Sequence, residues 1–301
     1  MNVKASPTLY LKLVLVTLFW GGTFIAGRVA SQAASTYFIA FGRFLVASLF
    51  LMIMLWRRER HRVRLTKRQI LLILASSLTG IIAYNIFFLN GLRLIEANRA
   101  SLIIALNPTV VMASTVLLGM ERLTWQRLAG LLIALLGVAL VLTEGDLLAI
   151  RGSLGLGELL IGGCVVSWAA YTLIGRSLIK KLSPLLVTTY ACIAGCAGLL
   201  VPAGLSMDTF GNVQFNTWLA IAYLGIFGTG LGFVWFYEGV KTIGPTRASI
   251  FVNLVPGWAV LLSALILREE IVATTLMGGL VIVAGVMLAN ISSTGQKDRT
   301  T

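Results

Sequence analysis

Two uncharged stretches, Leu182–Met207 and Thr209–Tyr237, are separated by a single residue, Asp208. Each is longer than the roughly 20 apolar residues that cross a bilayer as a helix. Further charge-free runs cover Gln69–Leu92, Ala100–Met120, Ala248–Leu267 and Ile271–Gln296. In hydrocarbon every backbone N–H and C=O needs a partner within the protein, so runs of this length are predicted to be helices. Composition agrees: 58% of the 301 residues are hydrophobic and 12% charged, and the mean hydropathy is +0.93. These values place the chain in the membrane class.

The chain also repeats itself. Arg99-Ala100-Ser101 leads through an apolar segment to Asn107-Pro108, and Arg247-Ala248-Ser249 leads through Asn253 to Pro256. The offset is 148 residues, and without a gap it also aligns Trp20 with Trp168, Gly27-Arg28 with Gly175-Arg176, and Gly80 with Gly228. Phe88 and Phe236, Glu121 and Glu269, Gly130 and Gly278, and Gly137 and Gly285 match as well. Two tandem repeats follow, 1–148 and 149–301. Ten spans are predicted, at residues 10–30, 37–56, 69–92, 99–119, 126–144, 155–175, 184–204, 216–238, 247–267 and 273–292. The first resembles a signal-peptide core, but its Trp and Gly-Arg recur in the sixth span, which marks it as structural.

Five spans per repeat is an odd number, so the second repeat should enter the bilayer from the opposite side. The loop charges give an independent reading. With a cytoplasmic N-terminus, 18 of the 24 basic residues lie on the inside, seven of them in the block 57–68. Basic residues concentrate in cytoplasmic loops. The equivalent loop of the second repeat, 205–216, carries only Asp208. The expected fold class is therefore an all-α integral membrane protein, ten helices arranged as two inverted five-helix repeats, with both termini cytoplasmic. Clustering in one loop without interleaved aromatics also explains the net charge of +13 without a nucleic-acid partner.

Enzyme chemistry finds little support. The one histidine, His61, lies in the basic loop, so histidine metal clusters and Ser/His/Asp triads are excluded. No P-loop is present, which argues against ATP as the driver. Cys164, Cys192 and Cys196 sit in apolar spans without ligand spacing. No cofactor or metal is expected. A pathway through the bilayer remains, with a solute site near the midplane between the repeats.

Pro108 and Pro256 have no N–H for the carbonyls of Ile104 and Val252, which makes them candidate hinges. Asn107 and Asn253 bring amides to about the same depth. Trp20 and Trp168 lie too deep for the interfacial aromatic belt. With Tyr84, Asn85, Phe88, Tyr171, Trp235 and Phe251 they form an aromatic, weakly polar candidate substrate set. Away from the span ends, only Arg43 is charged. Such a lining suits a small amphipathic solute better than a phosphorylated sugar, which would need several cations. Arg99 with Glu269, and Arg247 with Glu121, are candidate ion pairs closing one gate each. Glu158 and Glu238 lie near span ends and the first span has no acid, so passive, gradient-driven movement is expected rather than proton coupling.

The two five-span halves, the first-span run Phe19-Trp20-Gly21-Gly22-Thr23-Phe24 and the Arg-Ala-Ser…Pro fourth and ninth spans resemble the EamA-type branch of the drug/metabolite transporter superfamily. The resemblance implies an inner-membrane (plasma-membrane) carrier working by alternating access without ATP, often an exporter of metabolites or amino acids. The aromatic lining is similar to that of bacterial aromatic amino-acid exporters. Small four-span relatives carry an essential first-span glutamate, which this chain lacks. Neutral or aromatic amino acids are the expected cargo, with drugs or nucleosides as the same-fold alternative. A membrane-embedded enzyme or a non-transporting scaffold is the alternative of a different class.

Overall fold

The computed structural model describes residues 6–59, 64–119, 124–142, 154–206, 213–243, 248 and 251–291. Among them are helices and short connections, with no strand. In chain order the helices are α1 (Pro7–Ala33), α2 (Thr36–Arg58), α3 (Lys67–Leu94), α4 (Ala97–Leu117), α5 (Trp125–Leu142), α6 (Leu156–Ile179), α7 (Pro184–Gly204), α8 (Phe215–Ile243), α9 (Val255–Leu267) and α10 (Ala273–Ile291). Seven of these are long and apolar enough to cross a membrane: α1 to α4 and α6 to α8. The apolar stretches of α5, α9 and α10, at Leu128–Val141, Val255–Leu267 and Ala273–Gly285, are shorter.

Local chemistry sets the helix starts. Ser6 caps α1 by accepting from the Leu9 amide at 3.3 Å, with Pro7 in the first turn, where its missing N–H costs no hydrogen bond. Ser183 and Pro184 repeat the device at α7, and Thr66 with Gln69 forms a reciprocal capping box at α3.

Two departures from regular α-helix matter for the site. The helix of α4 ends at Ile104 and restarts at Asn107, with Ala105 and Leu106 in a turn between. At the 148-residue offset, Asn253 and Leu254 form a turn just before α9. The sequence predicted continuous spans over 99–119 and 247–267. Both turns instead precede a proline in the first helical turn, Pro108 and Pro256. A proline amide cannot accept the role of donor to the residue four back, so the chain restarts its helix there. The second departure is a widened, π-helical segment inside α3 at Ser77–Ala83 and inside α8 at Leu224–Leu231. These also correspond at the repeat offset. Such segments are uncommon and concentrate at functional sites.

Helices from the two repeats interleave. α1 packs along α8 and α9, while their counterparts, α6 with α3 and α4, pack the same way. α2 lies against α7, and α5 against α10. Near the end of α1, Arg28 donates to the carbonyls of Leu92 (2.6 Å) and Ile95 at the end of α3, and Gly157 at the start of α6 abuts Ile95. The end of α1 therefore lies beside the start of α6, and the two helices run in opposite directions.

α5 and α10 meet backbone to backbone. A Cβ on Gly137 would lie 2.6 Å from the Ile282 nitrogen and 2.8 Å from the Gly278 oxygen. Gly285 faces the Ala134 nitrogen and the Gly130 oxygen in the same way, which is the same contact shifted by 148 residues. Lipid tails are as apolar as the helices, so association here relies on close packing, which small residues allow. Gly137→Leu is expected to destabilise the protein by about 1–3 kcal/mol through overpacking. Gly162→Leu, where an added Cβ meets nothing within 4 Å, should be neutral. Reversible unfolding in mixed micelles would separate the two.

Candidate functional site

Trp20 lies at the middle of α1 and Trp168 at the middle of α6. Their rings meet at 5.4 Å between centroids, nearly perpendicular at 84°. Edge-to-face geometry of this kind sets the positive ring edge against the negative face. The Trp20 indole N–H donates to the Gly228 carbonyl at 2.9 Å, inside the widened segment of α8. Around this pair stand Tyr84 at 5.8 Å and Phe233 at 5.6 Å from Trp168, and Phe88 stacked on Tyr84 at 5.8 Å.

Arg43 enters this aromatic group from α2. It is 3% exposed, and its Nε donates to Thr229 Oγ1 while its Nη1 donates to Asn85 Oδ1, each at 2.8 Å. Asn85 Nδ2 is held by the Ile81 carbonyl at 2.7 Å, and Thr229 donates to the Leu224 carbonyl at 3.0 Å. Thr229 and both carbonyls lie in the two widened segments, and Asn85 sits two residues beyond the first. The guanidinium is thus fixed by a neutral group from each repeat.

Arg43 and the aromatic group border a cavity whose empty volume, counting open solvent at its mouth, is ≈ 470 Å³. Its walls are Trp20, Thr23 and Phe24 of α1, Arg43 of α2, Tyr84 and Phe88 of α3, Trp168 of α6 and Phe233 of α8. Ile104 and Asn107 flank the break in α4, and Val252 and Val255 flank the corresponding turn before α9. Apolar walls with a few fixed polar groups are the usual form of a small-molecule site.

Of the ten residues that the sequence singled out as substrate-binding, Trp20, Tyr84, Phe88, Asn107 and Trp168 line this cavity. Asn85 stands behind Arg43 as its anchor. Tyr171 is buried against Tyr237, with rings stacked 5.5 Å apart and outside the lining. Trp235 packs on Phe19 and lies under the Lys12 ammonium, and Phe251 packs on Tyr10, both away from the cavity. Asn253 is buried at the turn next to Val252, with neither amide atom bonded among the described residues. Asn107 Oδ1 is likewise buried and unbonded. Arg43, the one charge that the sequence places away from the span ends, was not among the expected substrate-binding residues. A charge at that depth was itself the signal.

Of the expected gate residues, Arg99 and Glu269 both stand at the start of α4. Arg99 Nε pairs with Glu158 Oε1 at 3.0 Å, joining the start of α4 to the start of α6. Glu269 meets the same helix end through the backbone, accepting from the Ala97 and Asn98 amides at 3.0 and 3.1 Å. An acid there satisfies orphan amides and complements the helix dipole. Arg247 and Glu121 lie outside the described residues. Lys12 of α1 pairs with Glu238 of α8 at 2.7 Å, at the opposite end of α1 from Arg28.

The family model for EamA-like transporters matches the chain twice, over residues 8–143 and 155–291. The chain belongs to the EamA-like transporter family. It is a multi-pass membrane protein of the drug/metabolite transporter superfamily, in agreement with the resemblance carried by its Trp-Gly and Arg-Ala-Ser…Pro motifs. The uncharacterized transporter YyaM of Bacillus subtilis is 30% identical over 288 residues, covering 94% of this chain and 93% of its own. A probable terminal-alkyne amino-acid exporter of Streptantibioticus cattleyicolor is 29% identical over 288 residues, covering 95% and 94%. A solved crystal structure with 18% identity superposes with a TM-score of 0.68 over 97% of this chain and 100% of its own, a likeness of fold.

The Arg99–Glu158 contact yields a prediction. If the two side chains act on each other, the cost of Arg99→Ala plus Glu158→Ala together should fall short of the sum of the singles by about 1 kcal/mol. A thermodynamic cycle on the purified protein measures this; strict additivity would show the pair to be idle.

Proposed function

We propose that this family member exports small metabolites, neutral or aromatic amino acids foremost, across the inner (plasma) membrane by alternating access and without ATP. The observation that carries the reading is the cavity where Trp20, Trp168, Tyr84 and Phe88 surround the buried Arg43 at the contact of the two repeats. Aromatic faces grip the solute's side chain, and the guanidinium meets its carboxylate. The relative from Streptantibioticus cattleyicolor, a probable terminal-alkyne amino-acid exporter, supports the same cargo class.

In this reading the molecule has ten spans in two inverted halves, 1–148 and 149–301, with both termini cytoplasmic. The opposite directions of α1 and α6 and the matching contacts at the 148-residue offset support the inversion. The turns at Ala105–Leu106 and Asn253–Leu254, beside Pro108 and Pro256, act as hinges while the halves rock. Arg99–Glu158 with Glu269 closes one end, and Lys12–Glu238 the other. Arg247 and Glu121 serve as the symmetric partners of Arg99 and Glu269.

Purified protein in liposomes should show counterflow of radiolabelled phenylalanine or another neutral amino acid. Trp168→Ala should reduce the rate at least tenfold, a loss of about 1.4 kcal/mol of interaction. Absence of counterflow for every amino acid tested would remove the cargo assignment. Cysteine labelling should find 57–68 and 205–216 on opposite sides of the membrane; labelling from one side would overturn the inversion.

A further inference from the structure

Arg43 brings a charge into the cavity that no protein group neutralises among the described residues. Its two bonded partners, Asn85 and Thr229, are neutral. The two ion pairs among the described residues, Lys12–Glu238 and Arg99–Glu158, involve other arginine and lysine side chains at helix ends. None of the other residues lining the cavity is charged. A guanidinium has five N–H donors in a planar fork, and Nε and Nη1 supply the two bonds described. Nη2 has no acceptor among the described residues. A buried unpaired charge is costly, and an intramembrane arginine ordinarily meets an opposite charge.

No corresponding acid faces the cavity to receive a cation. The described carboxylates, Glu59, Glu96, Glu158, Glu238, Glu269 and Glu270, lie at or near helix ends or in connections, and none lines it. An ammonium entering this space would find hydroxyl and amide oxygens and aromatic faces, but no carboxylate, beside a fixed positive charge. A carboxylate would find the free edge of the fork, with aromatic rings to cover the rest of its molecule.

We infer that the cavity is a carboxylate receptor with no acidic counterpart for an ammonium among the described residues, so that its substrates are apolar or aromatic monocarboxylates in which an α-amino group is tolerated but not required. This rests on the reading of the cavity as the transport site. Amino acids then qualify through their carboxylate, and acids without nitrogen qualify equally.

The test uses the full-length protein and four probes that share one ring: L-phenylalanine, 3-phenylpropionate, phenylalanine amide and phenethylamine. Quenching of tryptophan fluorescence in detergent reports binding, and counterflow in liposomes reports transport. 3-Phenylpropionate is expected to bind and move, with the amide and the amine at least tenfold weaker. Arg43→Gln, which keeps hydrogen-bonding capacity, should lose at least tenfold in affinity for 3-phenylpropionate. Arg43→Lys should fall between, since it keeps the charge and loses the fork. The inference is overturned if phenethylamine or the amide binds as well as 3-phenylpropionate, or if folded Arg43→Gln binds the acid as tightly as the unaltered protein. Should Arg43→Gln fail to fold, the four-probe ranking on the unaltered protein decides alone. Transport of phenylalanine without 3-phenylpropionate would sink the inference and leave the exporter reading intact. Transport of 3-phenylpropionate without phenylalanine would sustain the inference and end the amino-acid assignment.

Discussion

A single guanidinium held deep in an apolar bundle organises the centre of this molecule. Arg43 is kept in place by Thr229 on one repeat and Asn85 on the other, so its position depends on both halves being correctly seated. Each holder is in turn tied to a backbone carbonyl of a π-helical segment, Leu224 or Ile81. Widened turns alter the backbone bonding pattern, and here that irregularity coincides with a polar network inside the apolar interior. Trp20 uses the same region, donating to Gly228. Arginine, tryptophan and the widened turns thus form one connected arrangement rather than separate features.

The breaks before Pro108 and Asn253–Leu254 complete the surroundings from the other direction. Irregular backbone is tolerated at membrane depth where it is enclosed by protein or lines a cavity. Both breaks meet that condition, since the residues on either side of each turn border the cavity. The charged contacts are kept to the ends of the helices, at Lys12–Glu238 and Arg99–Glu158. The wall of the cavity is therefore nearly free of charge.

Much of the architecture was legible in the sequence because lipid leaves few choices. Uninterrupted apolar runs such as Leu182–Gly204 and the stretch through Phe215–Tyr237 could only become helices. Trp20 and Trp168, related by the 148-residue offset, lie in contact, and Pro108 and Pro256, related in the same way, each sit in the first turn of a helix. The site was less legible, because depth along a helix does not say which way a residue faces. Trp235, Phe251 and Tyr171 lie at suitable depths but turn towards neighbouring helices. Arg43 stood out in the sequence as a charge at depth, but its partners, 186 and 42 residues away, could not be read from it. The expected Arg99–Glu269 pairing rested on a shared face and repeat symmetry, neither of which reveals that the Glu269 carboxylate accepts from the Ala97 and Asn98 amides beside Arg99.

The seam between α5 and α10 has a mechanical meaning of its own. Where Gly137 and Gly285 bring main chain against main chain, no rotamer is available to give way. Such a joint is rigid in the manner of a riveted plate, and it transmits displacement instead of absorbing it. Compliance is left to places where the helical ladder is already interrupted, and those places border the central cavity.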